Sequence, residues 1–149
     1  MHNISAKAQM IVRTTPLVVF NAFVDAETMS KFWFTRRDHG LREGETMSWF
    51  IGRGQDAFAI EVNVKELRKP ELIWIEWSGG KQFTQVHWRM QKTVDGHTKL
   101  TIEESGFAGT EYEIVSSVLD STKGFNQVIV AVKALLEHGT AINVVDDHA

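Results

Sequence analysis

Residues 84–106 read TQVHWRMQKTVDGHTKLTIEESG, and this stretch decides the fold. Thr84, Val86, Trp88 and Met90 alternate with Gln85, His87, Arg89 and Gln91. A period of two marks a strand with one buried face. Asp95-Gly96 is a hairpin turn signal. The alternation then resumes through Thr98, Leu100, Ile102 and Glu104 and stops at Gly106. Two strands joined by a tight turn form an antiparallel hairpin whose apolar face must be covered by another element.

The same pattern extends toward the N-terminus. Leu72 to Ser78 is a strand, followed by a Gly79-Gly80 turn signal. Phe58, Ile60, Val62 and Val64 alternate with polar residues and lead to a turn at Lys69-Pro70-Glu71. Met47, Trp49 and Ile51 alternate before a turn at Gly52 to Asp56. A first strand spans Ile4 to Arg13, with Ala6, Ala8, Met10 and Val12 on one face. Thr15 as N-cap and Pro16 at the first helical position predict a helix. Leu17, Phe20, Phe23 and Val24 supply its apolar side, and Asp25 caps a second short helix over Ala26 to Phe32. Residues 35–45 are a charged loop. Toward the C-terminus, Glu111 to Leu119 is helical, a break is expected at Asp120-Ser121-Thr122, and a main helix runs to Glu137 with Gly139 as its C-cap. Phe125, Val128, Ile129, Val132, Leu135 and Leu136 give that helix a broad apolar face. The expected fold is α+β, a single domain over residues 1–149. Six antiparallel strands form a curved sheet around the long C-terminal helix, with two short helices after the first strand. The space between sheet and helix is the natural ligand cavity.

Composition removes several function classes. The chain has 149 residues and no cysteine. This excludes disulfides, a thiolate nucleophile, Cys-ligated zinc and iron–sulfur clusters, and it suits a reducing cytoplasm. A net charge of -3 and the lack of a basic stripe argue against nucleic acid and anionic membrane. No apolar run approaches the ~20 residues of a membrane span, and the polar N-terminus does not read as a signal peptide. The histidines His2, His39, His87, His97, His138 and His148 have no metal-ligand spacing, so neither a metal nor a cofactor is expected. Five tryptophans and nine phenylalanines stand against one tyrosine. That much ring surface lines either a generous core or a pocket.

Three segments resemble a known family. These are Pro16-Leu17-Val18-Val19-Phe20 with Phe23, Asp25 and Met29 running into Phe32-Trp33; Leu100-Thr101-Ile102-Glu103-Glu104-Ser105-Gly106-Phe107; and Gly124-Phe125 followed by the helix ending Leu135-Leu136-Glu137-His138-Gly139. With the element order, they resemble the helix-grip, START-like superfamily (SRPBCC, or Bet v-like). Within it, the chain is similar to the heat-shock-protein-90 ATPase activator homologues, a polyketide cyclase-like group. Where that group usually has Gly-Trp, this chain has Gly124-Phe125. The resemblance implies either a cavity for a hydrophobic ligand or a chaperone-regulating interaction module.

Glu104 is the candidate catalytic residue. By alternation it shares the helix-facing side of its strand with Leu100 and Ile102. A desolvated carboxyl suits a general acid or base. The competing reading puts it at the sheet rim in water. Trp33, Trp49, Trp88, Phe125 and Ile129 are the candidate ligand-binding residues, with Phe58 and Trp77 also facing in, and a small apolar or aromatic molecule is the expected partner. The alternative for these rings is plain core packing. Arg36, Arg37, His39 and Arg42 either orient an anionic ligand group or form a solvated loop. Trp74 falls on the outer face near Leu72, where it marks a homodimer or chaperone surface or else is covered by a neighbour.

Overall fold

A computed structural model describes residues 4–34, 36–37, 39–51, 58–78 and 82–147. The turns expected at Gly52 to Asp56 and at Gly79-Gly80 lie outside the described residues, as does the side chain of Phe58. The elements are β1 (Ala6–Val12), α1 (Pro16–Val24), α2 (Ala26–Met29), β2 (Arg36–Arg37), β3 (Thr46–Ile51), β4 (Phe58–Arg68), β5 (Leu72–Ser78), β6 (Thr84–Lys92), β7 (Thr98–Ser105), α3 (Glu111–His138) and α4 (Val144–Asp147). All strand pairs are antiparallel, in the order β1-β7-β6-β5-β4-β3-β2. The six expected strands are present. The two-residue β2, inside what reads as a charged loop, adds a short edge beside β3.

Local chemistry places the helices. Thr15 caps α1, its hydroxyl oxygen accepting from the Val18 N–H at 3.4 Å. Asp25 ends α1 and starts α2, its carboxylate accepting from the Thr28 N–H and hydroxyl. The second helix is shorter than its sequence suggests; turn structure carries the chain from Ser30 to Phe32. Thr110 and Glu113 form a reciprocal capping box at the start of α3, and Gly139 closes it in the left-handed conformation at φ 66°. The break expected at Asp120-Ser121-Thr122 does not occur. The Thr122 hydroxyl donates to the Val118 carbonyl at 2.7 Å, so its side chain bonds backward along a continuous helix and caps nothing.

One core unites these elements. The even positions of β6 and β7, from Thr84 to Met90 and from Thr98 to Glu104, are buried. They face Phe125, Val128, Ile129 and Val132 of α3 and Val19, Phe20 and Phe23 of α1. Each fully buried large apolar side chain contributes about 1.5–3 kcal/mol. The tail folds back: Ile142, Val144 and Val145 pack on the core, and the Asn143 amide donates to the Trp33 carbonyl at 2.7 Å. Among the described residues no helix is long and apolar enough to cross a membrane.

Candidate ligand site between the sheet and the long helix

Parity puts Trp49 of β3, Trp77 of β5 and Trp88 of β6 on the inner face, and they converge on Trp33. Its ring centroid lies 4.6 Å from Phe34, 5.8 Å from Trp49, 6.0 Å from Trp77, 6.2 Å from Trp88, and 6.4 Å from both Phe23 and Phe125. Trp33 itself is 7% exposed, while Trp49 and Trp88 are fully buried. Phe125 of α3 stacks on Trp77 at 6.0 Å and 9°. Ile129 follows one turn later on the same face and is fully buried. All five expected ligand-binding side chains therefore sit in the one core between sheet and helix, four of them in a single cluster of rings.

Glu104 lies at the edge of this cluster and is 4% exposed, so it does not stand at the rim in water. Its Oε2 accepts the Trp77 indole N–H at 2.9 Å and a short hydrogen bond from the Thr84 hydroxyl. Its Oε1 is buried and has no hydrogen-bond partner among the described residues, and the same is true of the Trp49 and Trp88 indole nitrogens and of Arg37 Nε. Buried polar groups are nearly always paired, so unpaired ones in one place need a reason. Thr84 was not anticipated as a partner of Glu104, although alternation already put it on the inner face with Val86 and Trp88.

The charged loop divides. Arg37 turns inward and is buried; its guanidinium donates to the carbonyls of Phe23 at 3.1 Å and Val24 at 2.6 Å. It also lies 5.3 Å from the Trp49 ring centroid, within cation–π range. Burial pulls this group down to about 10, against the nearby Asp25 charge that raises it. A cation at the C-terminal end of α1 also complements the helix dipole. His39 and Arg42 instead face Glu45 at 3.5 and 3.8 Å. Their role is the solvated one. Arg37 and Phe34 are interior groups that sequence reading did not place there.

The outer face of the sheet is a polar ladder. Trp74 stacks on His87 at 5.3 Å and 16°, and its indole donates to Gln85 at 2.7 Å. Gln85 and Asn63 both donate to Glu76 at 3.0 Å. Trp74 is thus half-covered and satisfied by its neighbours. At the opposite end of β5 and β6 from Glu104, a surface cleft of about 810 Å³ lies among Pro16, Leu17, Arg68, Leu72, Arg89 and Lys92. It holds none of the expected catalytic or ligand-binding residues. No group of three or more His, Cys, Asp or Glu able to hold a metal occurs among the described residues.

An antiparallel sheet closed over one long helix, with an aromatic interior and a buried carboxyl, defines a helix-grip domain of the START-like class. The chain belongs to the family described as Activator of Hsp90 ATPase homolog 1-like protein, which matches residues 13–137. Solved structures share the fold. The Staphylococcus saprophyticus protein SSP2350 superposes with a TM-score of 0.76 at 24% identity, covering 93% of this chain and 96% of that one. DynU16, a protein of the dynemicin biosynthetic locus, gives 0.78 at 19% identity over 92% of this chain; the match spans 48% of DynU16. PFC0360w, an HSP90 activator from Plasmodium falciparum, gives 0.69 at 23% identity over 90% of this chain and 96% of that one. No match was found among curated proteins.

Proposed function

We propose that this protein binds a small apolar or aromatic molecule between the sheet and α3, within the ring cluster around Trp33. One observation carries the reading: a buried carboxyl whose Oε2 is held by Trp77 and Thr84 while Oε1 stays unpaired in an aromatic interior. Sites for small molecules combine apolar walls with a few fixed polar groups in this way. Glu104 is the polar group such a ligand meets, and for a substrate with a labile proton it is the group that takes or gives it. In this reading Trp33 and its neighbours move to admit the ligand. The test is a titration with N-phenyl-1-naphthylamine followed by both tryptophan emission and melting temperature. Binding quenches the emission, and a ligand at a hundred times its Kd adds about 2.7 kcal/mol of stability. A panel of neutral aromatic probes that moves neither signal contradicts the reading.

Membership of the activator family supports a second reading, docking to a chaperone ATPase. The surface that suits it is the first half of α3, where Tyr112 is 82% and Leu119 65% exposed, with Val115 exposed between them. At i, i+3 and i+7 these residues form one stripe. Loss of chaperone capture by a folded Tyr112→Ala/Leu119→Ala double variant supports this surface; unchanged capture counts against it.

A further inference from the structure

We infer that the ligand of the interior site is an uncharged aromatic molecule carrying a hydrogen-bond donor, a hydroxyl or N–H group, directed at Glu104 Oε1. The inference rests on the reading of the interior as a ligand site and adds the chemical class of its occupant. Trp77 on β5 and Thr84 on β6 both donate to Oε2, so the carboxyl is anchored from two adjacent strands. Oε1 is buried and accepts nothing among the described residues. An unprotonated carboxyl oxygen accepts, so the complementary ligand atom is a donor.

The rest of the cluster sets the charge and the remaining polarity. An anionic ligand would be set against the Glu104 carboxyl oxygens inside a low-dielectric interior. A cationic ligand meets the Arg37 guanidinium, which already lies over Trp49. The indole N–H groups of Trp49 and Trp88 are buried and unpaired, and both rings touch Trp33. They call for acceptor lone pairs, which an ammonium group lacks and a hydroxyl or ring carbonyl supplies. A flat, apolar molecule with a donor on one edge and an acceptor oxygen elsewhere carries both kinds of group that these atoms lack.

The experiment compares four probes of one shape at neutral pH by calorimetry: 2-naphthol, 2-methoxynaphthalene, 2-naphthoate and 2-naphthylmethylammonium. The expected order puts 2-naphthol first, about 10–100-fold tighter than its methyl ether, the range for a hydrogen bond to a charged acceptor. In a Glu104→Gln variant the amide oxygen takes the Trp77 and Thr84 donors and the amide N–H group turns inward. The preference for naphthol is then lost, because the hydroxyl and the ether oxygen both accept from an N–H group. Circular dichroism establishes that the variant is folded, and the four-probe order in the unaltered protein stands without it. Equal affinity for naphthol and ether overturns the inference and leaves the ligand site intact. Tightest binding of the ammonium or carboxylate probe overturns it as well. If none of the four binds, the ligand site itself fails and the inference with it.

Discussion

At the residue scale, the two interior charges differ in how visible they are in the sequence. Glu104 is legible because three apolar or small residues at even spacing precede it, and strand parity holds to the end of β7. Arg37 is not. It lies in a run of charges, and a strand of two residues offers no alternation from which to read a face. What draws it inward is the end of α1: Phe23 and Val24 expose carbonyls that no further helical turn satisfies, and Arg37 donates to both. Arg37→Met is therefore expected to cost about 1–3 kcal/mol, because the Phe23 carbonyl loses a buried partner, while the Val24 carbonyl keeps the Leu41 N–H. Arg37→Lys should recover only part of that loss, since an ammonium lacks the planar fork that reaches both oxygens. Chemical denaturation of the three proteins measures this. A loss under about 0.5 kcal/mol for the methionine variant, the usual range for a surface change, would contradict the interior placement.

At the element scale, the strands were legible and the helix boundaries were not. The buried face of each of β1, β5, β6 and β7 is the one its alternation indicates. Helix ends depend on what each polar side chain bonds to, and that is settled by neighbours. Asp120-Ser121-Thr122 has the composition of an N-cap, yet α3 runs unbroken from Glu111 to His138. Its real cap is Thr110, with Glu113 completing the box. The two assignments differ in a measurable way. Thr110→Ala should cost about 1 kcal/mol as a lost N-cap. Thr122→Ala should stabilise by a few tenths of a kcal/mol, because alanine is the better helix former and no cap is lost. Thermal unfolding of both variants distinguishes them. A larger loss for Thr122→Ala than for Thr110→Ala would restore the break. The same reasoning explains the segment of α2 and the turn after it, where Met29 and Phe32 are buried as expected although regular helix ends at Met29.

At the scale of the whole molecule, two features make the stability of the fold respond to pH. Glu137 of α3 accepts the Arg13 N–H at 2.8 Å and Lys133 Nζ at 2.6 Å, while Lys133 also donates to the Ile11 carbonyl. Burial pushes the Glu137 carboxyl up, but these bonds with the Lys133 and His138 charges outweigh it and hold the group below its ordinary 4.5. Its contribution is present above that value and is lost as pH falls through the folded-state value. His87 is lowered from 6.5 by burial, beneath Trp74, and by Arg89. The unfolded chain then takes a proton that the folded one refuses, so stability falls as pH drops below 6.5. Two stages of acid destabilisation are expected, and His87→Gln should remove its share of the upper one. An unchanged melting temperature between pH 7.5 and 5.5 in the unaltered protein would contradict this.

The overall architecture was legible because sheet and helix periodicities carry it, and the candidate site because aromatic rings on the inner face have to meet where sheet and helix close. Which polar atoms stay unpaired there was not, since hydrogen-bond partners such as Thr84 come from geometry across strands. Those atoms make the central claim, a ligand site around Trp33, directly measurable. Of the five indole N–H groups in the chain, four lie inside and Trp74 lies on the outer face, a built-in control. In a two-dimensional proton–nitrogen spectrum titrated with 2-naphthol, the Trp33, Trp49, Trp77 and Trp88 indole signals should shift together while Trp74 stays still. Movement of Trp74 alone, or of none, would contradict an interior site.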